Sequence, residues 1–199
     1  MTVRTRTATV LSHARPAQTA EALRALIEAA EREGVLLRFD AEETRKYGLT
    51  PREGLVLDVA IHRRAGERVA ELAYAIDGEE AGSVRCDGLV LSTPAGSTGY
   101  NLANGGPVLA WGVEGFVVSF IAPHSLTARA LVVAPSDLLS VHNRSQGDVD
   151  ISLDGRPAGQ LGPGDAISAS FLREAADLAQ VPGSSFYRRL RQKFGRLAS

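Results

Sequence analysis

The sequence has a single cysteine, a single methionine and a single tryptophan in 199 residues. Cys86 has no partner for an internal disulfide, and no Cys/His spacing of a structural zinc site occurs. It lies where an apolar run turns polar before Asp87, the setting of a buried or half-buried thiol rather than a nucleophile. No apolar stretch approaches the ~20 residues needed to span a bilayer. Residues 1–10 are polar and threonine-rich, without the apolar core of a signal peptide, so a cytoplasmic protein is expected. An excess of charge of either sign is lacking too: 22 Lys and Arg oppose 23 Asp and Glu, for a formal net charge of -1. That balance supplies no electrostatic drive toward nucleic acid or an anionic membrane, and neither is expected as a partner.

What is present suits one ordinary domain or two small ones, with enough chain for a core that needs no staples. Residues 7–11 read as a short strand. Residues 17–33 then show helical periodicity, with Ala20, Leu23, Leu26, Ile27 and Ala30 in one apolar stripe. Pro16 suits the first helical turn and Gly34 the C-terminal cap. With a second strand at 35–39, this is a strand–helix–strand unit, expected as a parallel pair. Residues 41–47 suit a turn or two of helix and 48–54 a connection.

From residue 55 the period changes from 3.6 to 2. Strands are expected at 55–62, 69–76 and 79–84, with Asp77-Gly78 as a hairpin turn. Further strands are expected at 89–91, 116–121, 131–134, 138–142, 148–153 and 166–171, with a turn at 162–165. In the tail, Phe186, Leu190 and Phe194 recur every fourth residue among Arg188, Arg189, Arg191 and Lys193. That spacing predicts a basic amphipathic helix whose aromatic stripe docks on the protein's own body.

The richest segment is 87–107. A short buried strand ends at Ser92-Thr93-Pro94, a helix is expected to start near 95–97, and Gly105-Gly106-Pro107 stops it near Asn104. A strand that passes through small residues into a helix start offers free backbone N–H groups to an anion. The segment is neither a Walker loop nor a G-x-G-x-x-G fingerprint. Ser97, His124 and Asp154 are the residue types of a hydrolytic triad, but Ser97 does not sit in a G-x-S-x-G elbow.

Asp87-Gly88, then Ser92-Thr93-Pro94-Ala95-Gly96-Ser97-Thr98-Gly99-Tyr100, then Gly105-Gly106-Pro107 resembles the signature of the NAD kinase family. That family typically reads D-G, S-T-P-T-G-S-T-A-Y and G-G-P. The similarity continues through Ile121-Ala122-Pro123-His124-Ser125-Leu126 to Arg129, at Asp154-Gly155, and at Phe186-Tyr187 with Leu190-Arg191 and Lys193. It spans about residues 55–195 in the family's order.

The resemblance implies an α/β plus β-rich fold, in which a reduced βαβ unit (1–50) precedes a β-sandwich-like domain (51–180) and a helical tail (181–199). It implies NAD or NADP as the bound ligand, formation of NADP from ATP and NAD as the nominal activity, and a homo-oligomer. Carried over position by position, Asp87 would meet the adenine end, while Thr98, Gly99 and Tyr100 line the nucleotide. Asp58 would meet ribose hydroxyls, although Leu57 stands where the family has Asn. Ala122 and His124 would approach a nucleotide bound mainly by a neighbouring subunit, and Asp154 would lie near the site from the late hairpin.

The family's G-G-D-G-T segment, which holds donor phosphates and the acidic group acting on the ribose, has no counterpart here. No Gly-Gly-Asp occurs in the chain. No catalytic residue and no metal ligand is therefore identified, and ATP or polyphosphate with magnesium would lack a donor loop. Three readings follow: a paralogue that binds NAD(P) in a regulatory or interaction role, an internally deleted kinase, or a kinase with an unfamiliar donor site.

Overall fold

The computed structural model describes residues 6–10, 16–39, 56–173 and 185–195. The chain divides into two compact units, Met1–Leu55 with Glu174–Ser184 and Val56–Arg173 with Ser185–Ser199.

In the first unit, β1 (Arg6–Val10) and β2 (Val35–Phe39) pair in parallel, from Arg6 opposite Val35 to Val10 opposite Phe39. A parallel pair needs a long crossover, and α1 (Pro16–Arg32) supplies it. Gly34 ends the helix with a positive φ of 64° and donates its N–H to Glu31 O. Leu23 and Ala30 are buried and Ile27 half-buried. Leu26 is exposed, so the buried stripe is narrower than the periodicity predicts. The expected short helix at 41–47 and the connection at 48–54 lie outside the described residues.

The second unit is built from two antiparallel sheets. Six strands run in the order β11 (Arg156–Leu161), β10 (Val149–Leu153), β3 (Asp58–Arg63), β6 (Gly88–Ser92), β7 (Phe116–Ile121) and β8 (Leu131–Val133). Four run in the order β12 (Ala166–Ser170), β9 (Leu138–Asn143), β4 (Ala70–Ile76) and β5 (Glu79–Cys86). Ile61, Leu89, Leu91 and Val118 from the first sheet share one core with Leu72, Val84, Leu139 and Val141 from the second. Tyr74 and Phe120 meet across it with ring centroids 5.6 Å apart. Strand β6 is buried along its whole length, because the short helix α2 (Tyr100–Ala103) packs on its other side.

The expected hairpin at Asp77-Gly78 joins β4 and β5, with φ of 49° and 83° at its two turn residues. Positive φ at both positions matches the right-handed twist of the strands and is tolerated by Asp-Gly. Asp154-Gly155 repeats the device between β10 and β11. Strand β11 itself was not expected, because Pro157 and Gly159 interrupt its pattern. It is an edge strand, where a proline costs no ladder bond if its nitrogen faces outward.

In the tail, α3 (Phe186–Phe194) starts at Ser185, whose hydroxyl accepts from Arg188 N at 3.2 Å. Phe186 meets Trp111 edge-on at 5.3 Å, and the Arg189 guanidinium lies 5.5 Å from the Trp111 ring. Leu190 is buried and Phe194 exposed. Among the described residues, no helix is long and apolar enough to cross a membrane.

Candidate functional site

Strand β3 supplies the floor of a hollow in the second unit. Alternation puts Asp58, Ala60 and His62 on one face, and the antiparallel ladder sets Ser152 beside Ala60 and Asp150 beside His62. These residues line a cleft of about 710 Å³ together with Arg63, Asp87, Tyr100, Ile121 and Gly155.

The loop after β6 closes one side. Residues 94–98 form consecutive turns, and α2 begins only at Tyr100 and lasts four residues. The longer helix expected from 95–97 does not form. Ser97, fully buried, donates its hydroxyl to Pro94 O at 2.9 Å and accepts from Leu109 N at 3.0 Å, holding the segment in turns. Gly96 and Gly99 add little helical preference. A one-turn helix has little macrodipole, so any welcome for an anion comes from the loop backbone rather than a helix end. Ser97 is also no nucleophile here, because its hydroxyl is committed inside the loop. Asn101, likewise fully buried, donates Nδ2 to Ser97 O and Pro107 O at 2.9 Å each and so ties the loop's two ends together.

Asp58 sits under this loop. Ser92 Oγ donates to its Oδ1. A side chain at Gly96 would run into the same Oδ1 and come within 2.8 Å of Leu57 O, and one at Gly99 would lie 3.1 Å from Oδ2. Burial pushes the Asp58 carboxyl up to about 6; the Ser92 hydrogen bond opposes this and the charge of Asp154 adds to it. Asp154 Oδ1 accepts from Leu57 N at 3.0 Å and Asp58 N at 2.8 Å.

Asp87 lies across the cleft, paired to Arg63 by Nε–Oδ1 at 2.7 Å. That hydrogen bond holds its carboxyl below the usual range, and His124 acts in the same direction. The segment carrying Ala122 and His124 is stitched on by Asp87 N to Ile121 O at 2.9 Å and His124 N to Arg85 O at 2.8 Å. Ala122 takes a positive φ of 43°, a strained conformation for an alanine worth on the order of 1–3 kcal/mol.

Of the sequence-expected site residues, Asp58, Asp87 and Tyr100 line the cleft together. Asp154 stands behind Asp58. Thr98 and Gly99 belong to the loop, and Ala122 and His124 to the neighbouring exposed segment; none of these four lines the cleft. His62, Arg63, Asp150 and Ser152 were missed. The signal for His62 was present, as a second polar residue four positions after Asp58 on a strand otherwise apolar on that face. Asp150 and Ser152 become neighbours only through strand pairing. Among the described residues, no group of three or more His, Cys, Asp or Glu side chains is placed to hold a metal ion.

A family model described as the ATP-NAD kinase C-terminal domain matches residues 57–180, which include the loop and the cleft. The chain belongs to the NAD kinase family. The NAD kinase of Lachnoclostridium phytofermentans is 35% identical over 143 residues, covering 69% of this chain and 50% of that protein. The NAD kinase of Rhodopirellula baltica is 41% identical over 120 residues, covering 60% of this chain and 39% of that protein. The chain spans about half the length of the curated relatives it matches. The solved structure of yeast NADH kinase complexed with NADH matches with a TM-score of 0.54 at 34% identity, covering 56% of this chain and 33% of that one. An NAD kinase from Archaeoglobus fulgidus, solved in complex with ATP, shares the fold at 17% identity with a TM-score of 0.57, covering 84% of this chain and 90% of that one.

Proposed function

We propose that this chain binds NAD or NADP in the cleft between β3, β10 and the 92–100 loop. The observation that carries the reading is the meeting of Asp58, Asp87 and Tyr100 on one cleft inside the region that matches the family. Tyr100 is 42% exposed and able to stack on a ring, and two carboxylates are placed to take hydroxyl or amine hydrogens. The yeast relative, solved with NADH, supports a dinucleotide as the ligand class. Thr98, Gly99, Ala122 and His124 are assigned to the rim of the same site, with the last two approaching a ligand held by a second copy in a cytoplasmic homo-oligomer.

Calorimetric titration with NAD, NADP and ATP tests this directly. Saturable dinucleotide binding is expected, and no heat at millimolar NAD or NADP would overturn the reading. A Tyr100→Ala chain that folds normally is expected to bind NAD roughly two- to tenfold more weakly, the scale of one lost stacking contact. Light scattering tests the oligomer.

A second reading concerns chemistry rather than binding. The lack of any Gly-Gly-Asp in the sequence favours a dinucleotide-binding member of the family that does not transfer phosphate. Phosphoryl transfer rests on positioning and charge neutralisation of the donor, and no loop for either is identified. Incubation with NAD, magnesium and either ATP or polyphosphate decides it, with steady NADP formation counting against this reading.

A further inference from the structure

Asp154 has a place in the structure that a turn residue alone does not need. It opens the two-residue turn between β10 and β11 with a φ of 49°, and Gly155 follows at 76°. A turn of that shape is satisfied by Asn, Asp or Gly. Yet the side chain reaches a strand 96 residues away in sequence: Oδ1 accepts from both Leu57 N and Asp58 N, while Asp154 N donates to Asp58 O at 2.9 Å. Three hydrogen bonds therefore bind the turn to Leu57 and to Asp58, the first residue of β3.

What lies beyond Asp58 has no slack. Leu57 O accepts from Thr93 N at 3.0 Å, and the Asp58 carboxylate takes the Ser92 hydroxyl. The backbone of Gly96 passes so close above that carboxylate that not even a methyl group fits. Packed groups at such separations move together, because a gap loses contacts and an overlap costs strain.

We propose that Asp154 is a positioning residue, which sets Asp58 beneath the 92–99 loop through two backbone amides and thereby fixes the loop for the dinucleotide. This rests on the dinucleotide reading above. Asp154 is half-buried, and the cleft is lined by Gly155 rather than by the aspartate itself. Its charge also reaches Asp58, whose carboxyl it helps hold above the ordinary range. The other groups facing Asp58 are the uncharged Ser92, Gly96 and Gly99. His62, Arg63, Asp87, Tyr100 and Asp150 share its cleft.

Two substitutions in the full chain separate the roles. Asp154→Gly keeps the positive-φ turn without strain and removes the acceptor; Asp154→Asn keeps both turn and acceptor and removes the charge. Amide hydrogen exchange without ligand is read first. In D154G the amides of Leu57, Asp58 and residues 93–99 are expected to exchange roughly tenfold faster or more, with β4 and β9 as protected as in the parent. In D154N, exchange is expected to stay within about threefold of the parent. NAD affinity is expected to follow, falling about tenfold in D154G and holding in D154N. The pH midpoint of NAD binding is expected to move down in D154N, because the charge that raises Asp58 is gone. Faster exchange confined to residues 153–156 in D154G, or D154N as impaired as D154G, would overturn the proposal. If the parent binds no NAD, the dinucleotide reading falls, and the exchange measurement still decides whether Asp154 positions the loop.

Discussion

Asp58 joins the site to the stability of the domain. Its carboxyl titrates near 6 against an ordinary value of 3.8, so folding takes up a proton in between. The stability this group contributes is therefore highest below about pH 4, falls as pH rises through about 6, and stays low above that. Asp58→Asn keeps an acceptor for Ser92 and removes the buried charge. It is expected to stabilise the chain by on the order of 1–2 kcal/mol near pH 8, with the gain vanishing toward pH 4. Urea unfolding across that range checks it, and a gain independent of pH would rule out desolvation as its source. Gly96→Ala is expected to cost about 1–3 kcal/mol through overlap with the same carboxylate. Combined with Asp58→Ala, which removes the carboxylate overlap and leaves only the close approach to Leu57 O, the penalty is expected to shrink, and strictly additive effects would show that the two residues do not press on one another. The presence of Asp58 was legible as a lone carboxylate in an apolar strand. Its burial was not, because the groups that cover it come from residues 92–99 and 154.

Single elements follow local rules unevenly. Hairpins with Asp-Gly turns were readable because two residues decide the turn, and Asp77-Gly78 is one such case. The helix in 95–104 was overcalled, since buried Ser97 and Asn101 spend their polar groups on holding turns that no propensity describes. Strand β11 was missed because an edge position excuses a proline, and sequence does not announce an edge. For α3, the fourth-residue spacing of Phe186 and Leu190 gave helix and buried face together, whereas Phe194 ends up exposed. Phe186→Ala is expected to remove the edge-on contact with Trp111 and cost about 1–2 kcal/mol. The single tryptophan reports it: its emission is expected to shift to the red while the strand signal in circular dichroism persists. Unchanged emission would mean that Phe186 does not shield the indole.

The scale of the whole molecule is reported by Cys86, the only thiol, fully buried and part of the core shared by the two sheets. Burial pushes its thiol up to about 11, so it is both inaccessible and protonated at neutral pH. Reaction with an aromatic disulfide reagent is expected to require opening of that core and to accelerate with urea in step with global unfolding. If NAD binds only the native chain, NAD at about 100 times its Kd is expected to slow labelling about 100-fold. A labelling rate insensitive to urea would mean that a local opening exposes the thiol.

By itself the sequence determined where most of the strands and the first helix lie, the parallel unit that opens the chain, the Asp77-Gly78 turn and the family signature in 87–107. Each of these is set by periodicity or by a few adjacent residues. Only the tertiary structure decided that β3 lies between β10 and β6, and hence that Asp58, Asp87 and Tyr100 share a cleft with Asp150 and Ser152. Alternation tells which face of a strand is apolar, but not which distant strand will pair with it. That choice depends on how both sheets bury their apolar faces at once, which no local stretch of residues encodes.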